Sequence, residues 1–419
     1  MPNAGWLIED RCPQCGGPIA MLETDHIVVC DYCRVRLYVV TEGVGKYCLP
    51  VKAAPVGEVV MVPYWRLRGH HYRLSGGAVR SRLVDVTRLA AAAPGLPPTL
   101  GVRAQAVPLR FASERDEARF LPAGAPPVLD GHRRHAGLPP AAGDRGAIDG
   151  VFVASSALVY APVRVARSVF DGVLNRRIPG VDGDTWARLA GPADDRPGPV
   201  RFLATLCPEC GWQLEGAADT LVLLCVNCGG GWEAGRDGLR RAAYRMLPAA
   251  GWTPQAYLPF WCLGARIGTA SLDSWADLVR FGNLPLVVQP SWEGEPLRFW
   301  IPAFGLHPDR FLRLAQTLTL ARPAFTATGA ESAHERPAGP VRACHAVTLP
   351  EHRLAEAVRV LLVSLARTRP ETARLVAEAA IDTDPAHLTY VPVLLNGREY
   401  LNPSLQLAVQ KGVLDRTSW

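Results

Sequence analysis

The sequence predicts an α+β, β-rich fold made by internal duplication, in which each half is a zinc ribbon followed by a β-rich domain with a few helices. Three observations lead there. Eight of the eleven cysteines fall into two four-cysteine constellations of one spacing. Proline and aromatic landmarks behind each constellation recur in the same order. In the second half, apolar periodicity marks a helix over 351–367, and a second helix is expected over 370–380.

The first constellation is Cys12-Pro-Gln-Cys15-Gly with Cys30-Asp-Tyr-Cys33, and the second is Cys207-Pro-Glu-Cys210-Gly with Cys225-Val-Asn-Cys228. Fourteen residues separate the two pairs in both cases. Two residues between cysteines let the chain turn tightly, so both sulfurs reach one centre at about 2.3 Å. Pro13 and Pro208 preset φ in that turn, and Gly16 and Gly211 stand where the backbone bends back. Ile27–Val29 and the run 221–224 lead into the second knuckles as strands. The expected metal ligands are Cys12, Cys15, Cys30 and Cys33 for one structural zinc, and Cys207, Cys210, Cys225 and Cys228 for another. Iron in the same cage, as in a rubredoxin-like electron carrier, is the alternative. A catalytic zinc is not expected, because four thiolates leave no open position for water.

The cysteines recur at an offset of 195 residues. Val62-Pro-Tyr-Trp65 is echoed by Leu258-Pro-Phe-Trp261, Pro98-Thr-Leu-Gly101 by Pro302-Ala-Phe-Gly305, and Leu158-Val-Tyr-Ala-Pro162 by Leu388-Thr-Tyr-Val-Pro392. The expected organisation is ribbon 1 over 1–45, a β-rich domain over 46–190, a linker over 191–200, ribbon 2 over 201–240 and a second β-rich domain over 241–419. Alternation in Pro63–Arg68 points Trp65 and Leu67 inward and Tyr64, Arg66 and Arg68 outward. Trp261 and Leu263 keep the inward pattern, so Trp65 and Trp261 are expected as core anchors. A four-cysteine ribbon followed by a Pro-[Tyr/Phe]-Trp strand resembles bacterial TFIIB-type, or double zinc-ribbon, proteins. The resemblance covers the ribbons and those strands. It implies zinc binding, and carries no role in transcription across.

Composition sets the outer limits. The chain has 419 residues, 48% hydrophobic and 20% charged, as in globular proteins. No apolar run reaches 18 residues, so no membrane-spanning helix is expected. Met1–Asp10 lacks a basic stretch followed by an apolar one, so no secretory signal is expected there. With an odd cysteine count, this points to a reducing, cytoplasmic setting in which paired cysteines bind metal. The formal charge of +6 rests on 42 arginines and 3 lysines, a bias that suggests a GC-rich bacterial genome. Two four-thiolate zinc sites, each −2, lower the charge to about +2. A near-neutral chain is a weak electrostatic magnet for nucleic acid. A protein partner is therefore preferred and a nucleic-acid partner is the alternative. The best basic patch is Arg236, Arg240, Arg241 and Arg245.

Other residues read as structural. His70-His71 is a solvated strand end, and His132-Arg-Arg-His135 lies in the Pro/Gly-rich loop 122–146. Loops are also expected over 90–101 and 327–340. Cys344-His345 is two ligands short of a metal site, and Cys48, Cys262 and Cys344 read as small buried hydrophobes. Thr348-Leu-Pro-Glu351 fits a capping box for the helix over 351–367, and Asn396-Gly397 fits a hairpin turn. No G-x-S-x-G, H-E-x-x-H or P-loop is present, so no catalytic residue is named and a non-enzymatic protein is expected.

Overall fold

The computed structural model describes residues 5–414 except 52–56, 76–77, 94, 102–106, 115, 126–147, 191–193, 250, 269–271 and 324–342. In the first ribbon, Leu7–Arg11 (β1) and Pro18–Leu22 (β2) pair antiparallel, and alternation buries Ile8, Ile19 and Met21. Ile27–Val29 (β3) pairs with Arg36–Val40 (β4).

The first module is one eight-stranded sheet of Gly45–Cys48 (β5), Glu58–Ser75 (β6), Ala78–Leu89 (β7), Arg110–Phe111 (β8), Arg119–Phe120 (β9), Ile148–Val165 (β10), Ser168–Asp171 (β11) and Arg176–Asp182 (β12). The helix Gly183–Ala190 (α1) follows. The spine is the antiparallel pair β6–β10, each 18 residues long, or about 60 Å at strand rise.

The second ribbon uses Arg201–Ala204 (β13), Val222–Leu224 (β14), Gly231–Gly235 (β15) and Gly238–Ala242 (β16). The second module has strands Tyr244–Met246 (β17), Ala256–Leu263 (β18), Ala265–Ile267 (β19), Phe299–Pro302 (β20), Ile381–Thr383 (β21), His387–Asn396 (β22), Glu399–Asn402 (β23) and Leu407–Gln410 (β24). Its helices are Trp275–Gly282 (α2), Pro308–Ala321 (α3), Leu354–Leu365 (α4), Pro370–Glu378 (α5) and the single turn Lys411–Leu414 (α6). Thus the fold is β-rich with few helices, and a four-cysteine ribbon precedes a β module twice.

The duplication is visible in strand register. Pro63 lies opposite Tyr160 and Trp65 opposite Leu158; likewise Pro259 lies opposite Tyr390 and Trp261 opposite Leu388. A parallel strand joins the same side in both, with Cys48 beside Tyr160 and Met246 beside Tyr390. The next amide, of Leu49 or Leu247, donates to that tyrosine's carbonyl at 2.9 Å each time. An irregularity repeats as well. The register slips by one residue between Arg68–Ser155 and Gly69–Val153, and again between Cys262–His387 and Ala265–Thr383. Both expected anchors are buried, and the Trp65 and Trp261 indole N–H groups donate to Gly124 and Leu349 carbonyls, each at 2.8 Å. The Pro98–Gly101 likeness to Pro302–Gly305 does not hold in register. Pro302 lies on β20 opposite Phe260, where the first module has Leu89 opposite Tyr64. Pro98 lies beyond β7, where its carbonyl accepts from the Leu89 amide.

Two expectations about β6 are corrected by what covers it. Tyr64, Arg66 and Arg68 are buried, at 4%, 2% and 3% exposure, because the first ribbon lies over that face. Glu23 of the ribbon stands 2.5 Å from Arg66 and 3.2 Å from Arg68, Asp85 on β7 stands 2.8 Å from Arg66, and the Arg66 guanidinium sits 3.6 Å over the Trp6 ring. His70 is fully buried rather than solvated, and His71 is half-buried. The strand continues to Ser75, and its far end runs under the second module. There Tyr72 and Phe152 join that module's core with Phe311 and Leu354, while Leu74 packs with Ala366 and Ala373.

The expected helix over 351–367 is a short 3-10 turn, Glu351–Arg353, followed by α4. Thr348 does not cap it, because its hydroxyl accepts from the Gly305 amide at 2.9 Å. The second expected helix is α5, with Pro370 in its first turn. The Asn396-Gly397 turn joins β22 and β23, with Gly397 at φ 61°. His132, His135 and the loop 327–340 lie outside the described residues.

Candidate metal centres

Each ribbon is a pair of knuckles, and all four knuckles fold alike. The amides of Gly16, Arg34, Gly211 and Gly229 donate to the carbonyls of Cys12, Cys30, Cys207 and Cys225 at 2.8–2.9 Å. Those four donors adopt left-handed φ values of 75°, 60°, 71° and 75°, a conformation glycine takes without strain. Arg34 holds it with a full side chain.

These turns gather the sulfurs. Cys12 lies 3.8 Å from Cys33 and Cys15 3.6 Å from Cys30; Cys207 lies 3.6 Å from Cys228 and Cys210 3.5 Å from Cys225. Within each group all four sulfurs lie within 4.8 Å of one another. All eight are free thiols, whereas disulfide sulfurs sit about 2.05 Å apart. Four sulfurs arranged tetrahedrally at about 2.3 Å from an ion stand about 3.8 Å from each other. Both cages therefore have the donor set and the size for one four-coordinate metal ion.

The local field assists ionisation at selected sulfurs. The Cys33 and Tyr32 amides pull the Cys30 thiol down to about 7. The Asn227 side chain and the Trp212 amide pull Cys210 down to about 6. Burial pushes Cys225 and Cys228 up, the latter to about 12. A bound cation would hold such sulfurs as thiolates, which makes affinity depend on pH. Cys12, Cys30, Cys207 and Cys225 are buried, while Cys15, Cys33 and Cys210 face outward.

The two ribbons are fused. β13, just after the 191–200 segment, pairs with β4 of the first ribbon and completes its sheet. Ile27 and Tyr38 pack in one cluster with Cys207, Leu214, Leu223, Cys225 and Trp232. The amides of His26 and Ile27 both donate to the Ala218 carbonyl, at 2.7 and 2.8 Å. Cysteine spacing carries no sign of this contact. The one available signal is the unbroken apolar run Leu37-Tyr-Val-Val40, the pattern of a strand covered on both faces.

Elsewhere the candidate residues are dispersed. Arg236, Arg240 and Arg241 each face a carboxylate, of Glu42, Glu233 and Glu209. Arg245 lies on β17, half-buried near His387. Cys48 and Cys262 are fully buried, and burial pushes both thiols up to about 12. Cys344 is half-buried. Among the described residues, no third His/Cys/Asp/Glu group gathers as a metal site, and no helix is long and apolar enough to cross a membrane. Set against known protein families, curated proteins and solved structures, the chain matches none.

Proposed function

We propose that this protein is a non-enzymatic interaction or assembly module of the bacterial cytoplasm, in which two structural zinc ions hold two copies of a ribbon-plus-sheet unit together. The observation that carries the reading is the pair of closed four-sulfur cages within one fused ribbon body. Sulfur occupies all four positions of each cage, so an ion there has no open site for a substrate or water. Thiolate cages of this kind suit zinc, whose role in such sites is to supply folding free energy.

A nucleic-acid role is less favoured by the same geometry. Three of the four arginines of the basic patch stand beside carboxylates, which offset the local positive charge although Arg236 and Arg240 stay exposed. The test is elemental analysis of reduced, metal-replete protein, paired with mass spectrometry of what copurifies with the native chain. About two zinc ions per chain and a stoichiometric protein partner are expected. Metal-free protein, a red iron-bearing preparation, or a chain that copurifies only with nucleic acid would overturn the proposal.

A further inference from the structure

The outer edge of β7 has no counterpart in the second module. There, the corresponding strand β20 is four residues long, and helix α3 covers its edge where the Trp300 amide donates to the Thr319 hydroxyl at 3.0 Å. In the first module the matching position is Thr87, whose hydroxyl accepts from the Leu100 amide at 2.9 Å, and the Leu89 amide donates to Pro98 at 2.9 Å. Beyond Thr87, toward the tip of the hairpin, β7 continues to Ala78 and pairs only with β6 among the described residues. Because hydrogen-bonding direction alternates along a strand, the outward Leu89 amide sets the phase. Asp85, Leu83, Ser81 and Val79 then turn their amides and carbonyls to the open edge.

The two faces of this edge differ: on one, Ser81 donates to the Asp309 carboxylate of α3 at 2.7 Å, and the other is cationic. Arg80 and Arg82 are exposed, and they form no hydrogen bond or ion pair among the described residues. Across the strand pair they stand opposite Arg73 and His71. The two exposed guanidiniums of Arg80 and Arg82 on one face of the strand are complementary to carboxylates. On the other face of the same strand Leu83 is 45% exposed. An open backbone edge supplies main-chain hydrogen bonds, and alternate side chains supply specificity, in the strand-addition mode of peptide recognition.

We propose that β7 is a docking edge for an extended acidic segment of a protein partner, which adds as a strand beside Val79–Asp85 and places its carboxylates against Arg80 and Arg82. This rests on the reading of the protein as an interaction module and names the partner's chemistry. The competing account is that the two arginines only guard the edge against unwanted pairing.

The test uses the full metal-loaded chain and a labelled ten-residue peptide alternating Val and Glu, read by fluorescence anisotropy. A Val/Lys peptide and an oligothymidine serve as comparison probes. The variants are Arg80→Glu with Arg82→Glu, and separately Leu83→Pro, which removes one outward amide; each is first checked for two metal ions per chain. Saturable binding of the acidic peptide is expected, weakened tenfold or more in both variants, with slowed amide exchange over 78–86 on binding. Equal binding of the Lys peptide, unchanged binding in the variants, oligothymidine bound in place of the peptide, or self-association through this edge would each overturn the proposal. Should the peptide fail while the native chain still copurifies with a protein partner, the edge assignment falls and the interaction reading stands. Should no partner copurify either, both fall.

Discussion

Replacing Glu23 by glutamine tests how the first ribbon is fastened to its sheet. The Glu23 carboxylate meets two guanidiniums whose side chains are 2% and 4% exposed, and the remaining acid, Asp85, is 35% exposed. Burial pushes the Glu23 carboxyl up by more than Arg66 and Arg68 pull it down, so ionising Glu23 in the folded protein gives no net stabilisation. The loss arises on the other side, because Arg66 and Arg68 stay buried beside a neutral amide, although Arg66 keeps its two bonds to Asp85. Removing one member of a buried pair typically costs about 3–5 kcal/mol. The control is Glu58→Gln, whose pair with Arg119 is half exposed at the acid and is worth about 0–1 kcal/mol. Urea unfolding followed by circular dichroism reads the difference as a shift in midpoint at constant slope. A Glu23→Gln loss below about 1 kcal/mol, indistinguishable from the control, would refute the claim that this network holds the ribbon down.

Three further outcomes are expected. Cys225→Ser should drop metal content from two ions to one and, because Cys225 packs with Ile27 and Tyr38, should raise protease sensitivity in both ribbons; Cys344→Ala should leave both ions in place. Trp261→Phe should cost about 1–3 kcal/mol by stranding the buried Leu349 carbonyl, while Trp65→Phe should cost less, because water can reach the exposed Gly124 once its bond is lost; a larger loss at Trp65 than at Trp261 would contradict this. Burial pulls the His70 imidazole down from 6.5 to about 3, with His307 adding to the effect. A depressed folded pKa stabilises fully above the unfolded value and is lost as pH falls toward the folded one. Stability should therefore decline from pH 6.5 downward by up to about 1.4 kcal/mol per pH unit from this group. The difference between wild type and His70→Phe, which cancels acid release of metal from the ribbons, should show that slope, and a flat difference would contradict it.

Sequence reading reached furthest where chemistry is local. Cysteine spacing alone located both sulfur cages, and Asn396-Gly397 located a hairpin, because each depends on a few adjacent residues. The Pro-aromatic-Trp and Leu-x-Tyr-x-Pro echoes proved to be strand partners in matching register. The Pro98 likeness failed because resemblance in letters carries no information about pairing. Strand alternation assigned one face of β6 to solvent, yet the ribbon covers it, so Arg66 and Arg68 are buried beside Glu23, an acid that arrives from 43 residues upstream of Arg66. His70 was misplaced for a similar reason, since an 18-residue strand reaches beyond its own module. Thr348 had a better partner than the helix it precedes. Fusion of the ribbons through β13 and β4 was legible only as an apolar run, since a contact between segments about 160 residues apart leaves no local signature.

X-ray absorption at the zinc edge, on reduced protein with its metal content counted, tests the central claim most directly. The expected spectrum is four sulfur neighbours at about 2.3 Å with no nitrogen or oxygen in the shell, at two ions per chain. A shell containing nitrogen or oxygen, or a single ion per chain, would contradict the paired cages on which the account depends.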